Sequence, residues 1–151
     1  MDRASATEQE RPGIGVAIVV WQDAFRQLLL LGLGHSAANR EEIYAVPGGH
    51  WESGETLAEA AIREATEEAG ILVKDLKLIS VYEFFNPEKN KSYVTIGFEG
   101  LLADGIPEVR EAENKSDWGW YKPEEALALP LFVPDTALIQ RAISGVLYEI
   151  P

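Results

Sequence analysis

The sequence contains no cysteine. Disulfides, thiolate nucleophiles and cysteine metal centres are therefore excluded, which suits a reducing compartment. No apolar run approaches the ~18 residues needed to cross a bilayer, and residues 1–11, MDRASATEQER, lack the apolar centre of a signal peptide. The expectation is a cytoplasmic protein with no membrane partner, in which residues 1–11 form a disordered N-terminal segment and residues 12–151 a single domain. Basic side chains are scarce: 13 Lys and Arg against 25 Asp and Glu leave a net charge of −12. Binders of nucleic-acid polymers gain most of their affinity by neutralising phosphates with Lys and Arg, so such a partner is not expected. A small polyanion could still bind if metal ions supplied the positive charge.

What is present is ordinary for a globular chain. Hydrophobic residues make up 46% and charged residues 25% of the 151 positions, enough for a core that buries roughly 68–70% of the unfolded surface. No internal repeat or low-complexity segment is evident. After Pro12-Gly13, the runs IGVAIVVW (14–21) and LLLLGL (28–33) read as strands joined by the polar QDAFRQ. A polar loop follows over 34–42, and IYAVPGGHW (43–51) reads as a short strand broken by Pro47 and two glycines. LKLISVYEFF (76–85) and SYVTIGFEGLLA (92–103) alternate as strands across the turn NPEKNK, and an acidic loop over 104–116 leads into a short strand DWGWY (117–121). Helices are expected near 123–128 and 135–147, with Pro130 and Pro134 between them. Strands before and after a helix, with helices at the end, predict a mixed sheet between helices: an α+β chain arranged as an α/β/α sandwich.

The clearest helix begins at Thr56, where Thr56 and Glu59 form a capping box, and stops at Gly70. Leu57, Ala61, Ile62, Ala65 and Ala69 make an apolar stripe whose alanines permit close approach to a sheet. Glu64, Glu67 and Glu68 stand at i, i+3 and i+4, so their Cβ atoms share a face about 5–6 Å apart. Spacing alone allows a merely solvated acidic face, with Glu59 and Arg63 paired at i, i+4. It also allows a hard oxygen site for Mg²⁺ or Mn²⁺, in which a cation relieves the repulsion among the three carboxylates.

The wider segment separates these readings. Gly49, then Glu55, then Arg63-Glu64-Ala65-Thr66-Glu67-Glu68-Ala69-Gly70-Ile71 resembles the Nudix box at all seven of its fixed positions. At about 7% per position, chance agreement is ~10⁻⁸ per window. Ala65 departs at a softer position, where a bulkier aliphatic is usual. The resemblance implies hydrolysis of a nucleoside diphosphate linked to another moiety, with Mg²⁺ or Mn²⁺ as cofactor. It implies Glu64, Glu67, Glu68 and the carbonyl of Gly48 as metal ligands, Arg63 and Glu55 as the residues that orient them, and one glutamate, Glu64 by preference, as the group that polarises the attacking water.

Outside the box, RPGIGVAIVV, VPGGHWESGET, FFNPEKNKSYVTIGFEG and DWGWYKPEE resemble the MutT-type nucleoside triphosphate diphosphatases, over roughly residues 11 to 142. That branch releases pyrophosphate and a monophosphate, often from oxidised or otherwise modified nucleotides, so a small-molecule nucleotide is the expected partner. By that likeness Val46 and Thr95 line the base pocket, although both also fit strands. Trp118 and Trp120 share a face and suit either base stacking or core packing, as do Phe84, Phe85 and Phe132. His35 stands where a phosphate-binding Lys or Arg is common, with Arg40 further on; the alternative is a solvated loop. Glu111 and Glu113 lie where an extra ligand or base is sometimes recruited and equally suit a charged surface. Pro87, beyond the box, favours an ADP-ribose or other nucleoside-diphosphate-sugar pyrophosphatase unless it simply marks the hairpin turn. A silent Nudix binding module is a third reading, which the intact box opposes. Monomer and homodimer both stay open.

Overall fold

The computed structural model describes residues 11–35, 41–108 and 115–151, the side chains of His35, Lys115 and Ser116 excepted. The expected terminal segment 1–11 and the candidates Arg40, Glu111 and Glu113 lie outside the described residues, apart from Arg11. His35 ends a strand, and its side chain is likewise outside the description.

Two strands, β1 (Gly13–Trp21) and β2 (Leu29–His35), follow the two aliphatic runs. The segment read as one broken strand is two: β3 (Glu42–Ala45) and β4 (Gly48–His50), separated by Val46 and Pro47. Pro47 has no N–H for a ladder, yet its carbonyl accepts from Ile18 N at 3.0 Å, so the chain stays against β1. Helix α1 (Leu57–Ala69) precedes a long hairpin of β5 (Leu72–Asn86) and β6 (Lys91–Asp104). Then come β7 (Lys115–Tyr121), the short α2 (Pro123–Leu127) and α3 (Val133–Ser144).

β5 starts at Leu72, four residues earlier than the alternation at 76 suggests. Asp75 takes a positive φ of 55° and the register with β6 shifts between Lys74 and Lys77, so the strand continues through a bulge that breaks the sequence period. Helix α3 begins and ends earlier than 135–147. Pro134 sits in its first turn, where the absent N–H is no loss, and Gly145, left-handed at φ 77°, closes it by donating to Arg141 O at 2.8 Å.

The strands form one mixed sheet in the order β3-β2-β1-β6-β5, with β4 also paired to β1 and β7 to β2. β1 and β6 run parallel from Gly13↔Tyr93 to Trp21↔Leu101, and the other pairings are antiparallel. Side chains alternate between two cores. Ile18, Val20, Leu30, Val73 and Phe98 meet the alanine face of α1. Ala17, Val19, Leu29, Leu31 and Val46 meet Ala126 of α2 and Leu138 and Ile139 of α3. Helices therefore cover both faces, the sandwich expected from the element order. Full burial of each Ile, Leu or Val contributes about 1.5–3 kcal/mol. Among the described residues no helix is long and apolar enough to cross a membrane.

Candidate active site

Helix α1 is fixed at both ends. Thr56 Oγ1 accepts from Glu59 N at 3.1 Å, and Glu59 Oε1 accepts in return from Thr56 N at 3.0 Å. At the other end Gly70, φ 71°, donates to Thr66 O at 3.0 Å. Ala60, Ala61, Ala65 and Ala69 are buried against the sheet, and their small size lets the axis lie close to it. That closeness carries the glutamates of α1 to the backbone of β4.

Glu68 Oε1 accepts from Gly48 N at 2.7 Å. The carboxylate of Glu64 lies so tightly over Gly49 that a Cβ there would collide with it. A Cβ on Gly48 would stand 2.6 Å from Val16 O. The two glycines are thus required by close approach, from a helix on one side and a strand on the other.

Arg63 joins the acids. Its Nε and Nη2 donate to the two oxygens of Glu55 at 3.0 and 2.9 Å. Nη1 donates to Glu64 Oε1 at 2.9 Å and Glu67 Oε2 at 3.1 Å, and Nη2 also to His50 O at 3.0 Å. All five guanidinium protons therefore have acceptors. Glu55 also accepts from Glu52 N at 2.9 Å, which folds the 51–55 loop onto the helix. The Arg63 bonds hold the Glu55 carboxyl below the usual carboxylate range and raise Arg63 itself. Glu64 moves the other way. Burial and then the neighbouring charge of Glu68 push it up to about 7, against the pull of Arg63.

The residues fit a hard divalent cation. Three carboxylates and the Gly48 carbonyl are oxygen donors of the type Mg²⁺ and Mn²⁺ prefer. The raised Glu64 reflects first its burial and then the charge of Glu68, and a cation would offset both. Among the described residues no three acidic or histidine side chains yet close on one point. Glu68 is held by Gly48 N–H, and Glu64 and Glu67 by Arg63, so loading an ion would exchange some of these bonds for coordination.

A cleft of about 350 Å³ opens beside the glycines, on the α3 side of the sheet. Val46, Thr95 and Phe132 line it, as does Glu68. Phe132 is held there because residues 130–132 pair with β3: Tyr44 N donates to Pro130 O at 2.8 Å and Phe132 N to Tyr44 O at 2.9 Å. Phe84 lies edge-on to Phe132 at 5.7 Å between ring centroids and stacks on Tyr93 at 5.6 Å. Trp118 is not brought to this cleft. It packs with Trp120 against the α1 core, its Nε1 donating to Glu68 O at 3.2 Å, where it supports the end of the helix. Phe85 points outward and is 56% exposed.

Sequence reasoning passed over His50, Lys89, Tyr93 and Asp135, which also line the cleft. Asp135 is buried in the first turn of α3 and accepts from Val46 N at 3.0 Å, tying the cleft floor to the helix. A charged residue beside Pro134 in an apolar helix was the available signal.

The comparisons with known proteins bear on the family and the fold. The NUDIX domain model matches residues 11–142. The NAD-capped RNA hydrolase NudC of Erwinia tasmaniensis is 31% identical over 132 residues, 87% of this chain and 46% of that protein. The 8-oxo-dGDP phosphatase NUDT18 of Mus musculus is 35% identical over 92 residues, 60% of this chain and 27% of that protein. The chain spans about half the length, or less, of the curated relatives it matches. Among solved structures, the MutT NUDIX hydrolase of Burkholderia pseudomallei superposes with a TM-score of 0.77 at 23% identity, covering 87% of this chain and 98% of that one. The NUDIX domain of Shewanella oneidensis NrtR, crystallised with ADP ribose, gives 0.74 at 18% identity, covering 93% and 94%. With the box glutamates gathered on α1 over Gly48 and Gly49, and a family model that spans most of its length, this chain belongs to the Nudix family.

Proposed function

We propose that the protein hydrolyses a phosphoanhydride bond of a nucleotide, with a nucleoside triphosphate cleaved to monophosphate and pyrophosphate as the first choice, oxidised or modified nucleotides included. The observation that carries this is the convergence of Glu55, Glu64 and Glu67 on Arg63, beside Glu68 and the backbone of Gly48, at the mouth of an aromatic-walled cleft. Glu64, Glu67, Glu68 and the Gly48 carbonyl would hold Mg²⁺ or Mn²⁺. Bound there, a divalent ion neutralises the polyphosphate, acidifies water and stabilises the departing oxygen.

The chain's own residues supply the rest. Phe84, Tyr93 and Phe132 form an aromatic wall against which a base packs. Val46 and Thr95 shape the cleft floor. Glu64, against Gly49, takes the proton of the attacking water as its oxygen bonds to phosphorus, and the anhydride P–O bond breaks with the leaving phosphate keeping the bridging oxygen. Arg63, anchored on Glu55, orients Glu64 and Glu67.

A second reading is a pyrophosphatase of a nucleoside diphosphate joined to a sugar or second nucleoside. The relatives favour it: one is named for NAD-capped RNA, and one similar domain was crystallised with ADP ribose. An assay with Mg²⁺ over canonical and oxidised nucleoside triphosphates, ADP-ribose, NAD⁺ and dinucleoside polyphosphates, with products identified, separates the two. Pyrophosphate release is expected, falling at least 100-fold in Glu67→Gln. A clear preference for ADP-ribose would transfer the assignment to the second reading, and undiminished hydrolysis in Glu67→Gln would refute the metal site.

A further inference from the structure

One residue of the cleft floor is smaller than the fold requires. Gly15 lies inside β1, where glycine weakens a strand because it loses the most freedom on folding. Such a glycine marks a bulge, a bend, or the close approach of another backbone or a ligand. β1 carries no bulge at this point: its register with β6 runs unbroken from Gly13 to Trp21, and with β4 from Gly15 to Ala17. No turn asks for glycine either, since Gly15 is not among the residues of positive φ.

Nor does the chain itself crowd this position. Beyond its chain neighbours, a Cβ on Gly15 would meet Gly49 O at 3.4 Å and Thr95 Oγ1 at 4.0 Å, both ordinary contacts, and no other atom of the described residues within 4 Å. Nearby glycines differ: a Cβ would stand 2.6 Å from the Tyr93 ring at Gly13 and 2.6 Å from Val16 O at Gly48. Gly15 lines the cleft, and so do its register partners, His50 on β4 and Thr95 on β6. Paired residues share a face and stand about 4.8 Å apart. The missing side chain therefore leaves a recess between His50 and Thr95. Tyr93, whose ring fills the place of a Gly13 side chain and meets His50 edge-on at 6.2 Å, bounds it on one side, and the buried Ala17 bounds it on the other.

With bulge, bend and backbone approach set aside, the ligand is what needs the glycine. We propose that Gly15 is a specificity-determining residue: the recess over it receives the second ring of a purine base, and any side chain at this position would select against purines in favour of single-ring bases. The proposal deepens the nucleotide reading above and rests on it. Alanine at a position whose backbone it can adopt stabilises a fold by restricting the unfolded chain. The glycine thus withholds stability from β1 and gives depth to the cleft.

The test pairs the stability of Gly15→Ala with its ligand affinities. Its midpoint in urea is expected to equal or exceed that of the wild type. Calorimetric titration in Mg²⁺ uses the uncleavable α,β-methylene triphosphates of adenosine, guanosine, cytidine and uridine, with inorganic triphosphate as the probe that has no base. The variant is expected to bind the two purine analogues at least fivefold more weakly, and the pyrimidine analogues and inorganic triphosphate within twofold of the wild type. Purine affinity that is retained overturns the proposal, as does an equal loss for pyrimidines or for inorganic triphosphate. A lowered midpoint overturns it too, by showing that the fold rather than the ligand needs the glycine. If the wild type binds the analogues and the variant binds them equally well, only this proposal fails. If the wild type binds none of them, the nucleotide reading fails with it.

Discussion

Arg63 grips Glu55 through two parallel bonds, Nε to Oε2 at 3.0 Å and Nη2 to Oε1 at 2.9 Å, and this fork fixes the plane from which its other nitrogen reaches Glu64 and Glu67. Lysine offers a point charge and cannot make the fork. Arg63→Lys is therefore expected to retain the fold but to lower Mg²⁺-dependent hydrolysis by about 10–100-fold, the usual cost of losing a residue that orients metal ligands. Magnesium titrations of kcat/KM, with circular dichroism as the control for folding, check it; full activity in the variant would show that the fork is dispensable.

Gly49→Ala inserts a methyl group into the Glu64 carboxylate. Either the Glu64 carboxylate leaves its bond to Arg63 or β4 must move, so a loss of about 1–3 kcal/mol is expected, as for other overpacked sites. Urea denaturation measures the loss. The same variant should require more Mg²⁺ for half-maximal activity, since Glu64, a proposed ligand, is displaced from its place over Gly49.

In chelator, Glu64→Gln should be more stable than the wild type at pH 8. The Glu64 carboxyl, raised from 4.5 to about 7, costs stability when it ionises in the folded chain. That cost is absent below pH 4.5, grows between 4.5 and 7 and is complete above 7. Its side chain is 12% exposed, and the full shift is discounted for residual solvent and for the weakened bond to Arg63, giving a gain of about 1–2 kcal/mol. Denaturant midpoints at pH 4 and pH 8 should coincide at the first and separate at the second. A variant that is less stable at both would show that the Arg63 bond outweighs burial.

Arg141 is buried beneath β5, where its Nη1 donates to Ser80 Oγ at 2.8 Å and Val81 O at 2.6 Å, and its guanidinium lies 5.4 Å from the Tyr82 ring centroid. Arg141→Met leaves that carbonyl and hydroxyl without the donor. A loss of about 1–3 kcal/mol is expected in thermal or urea unfolding. Catalysis at 25 °C should change little, because α3 touches the cleft at its opposite end, through Asp135.

Local chemistry made some of this legible from the chain alone. Helix α1 announced itself through Thr56, Glu59 and Gly70, because caps are contacts between near neighbours. The Arg63 and glutamate cluster was visible for the same reason: its members sit within one loop and one helix. The cleft was less so. Val46, Tyr93 and the pair Phe132 and Asp135 come from three separate segments, and only the pairing of β3 with residues 130–132 and of β1 with β6 brings them together. Trp118 shows the limit of alternation: its spacing puts it on one face of β7 but does not say whether that face meets a nucleotide or the back of α1, and it meets α1. The early start of β5 was hidden because Asp75 interrupts the period inside a continuous strand.

The parallel union of β1 and β6 has a bearing on biogenesis. Gly13 lies against Tyr93 at one end and Trp21 against Leu101 at the other, so the middle of the sheet joins two strands separated in sequence by β2 to β5. Neither helical layer has a floor until that long loop closes, and non-local pairing of this kind folds slowly. A nascent chain still short of Asp104 would expose the aliphatic face of β1 and lean on chaperones until its partner strand leaves the ribosome.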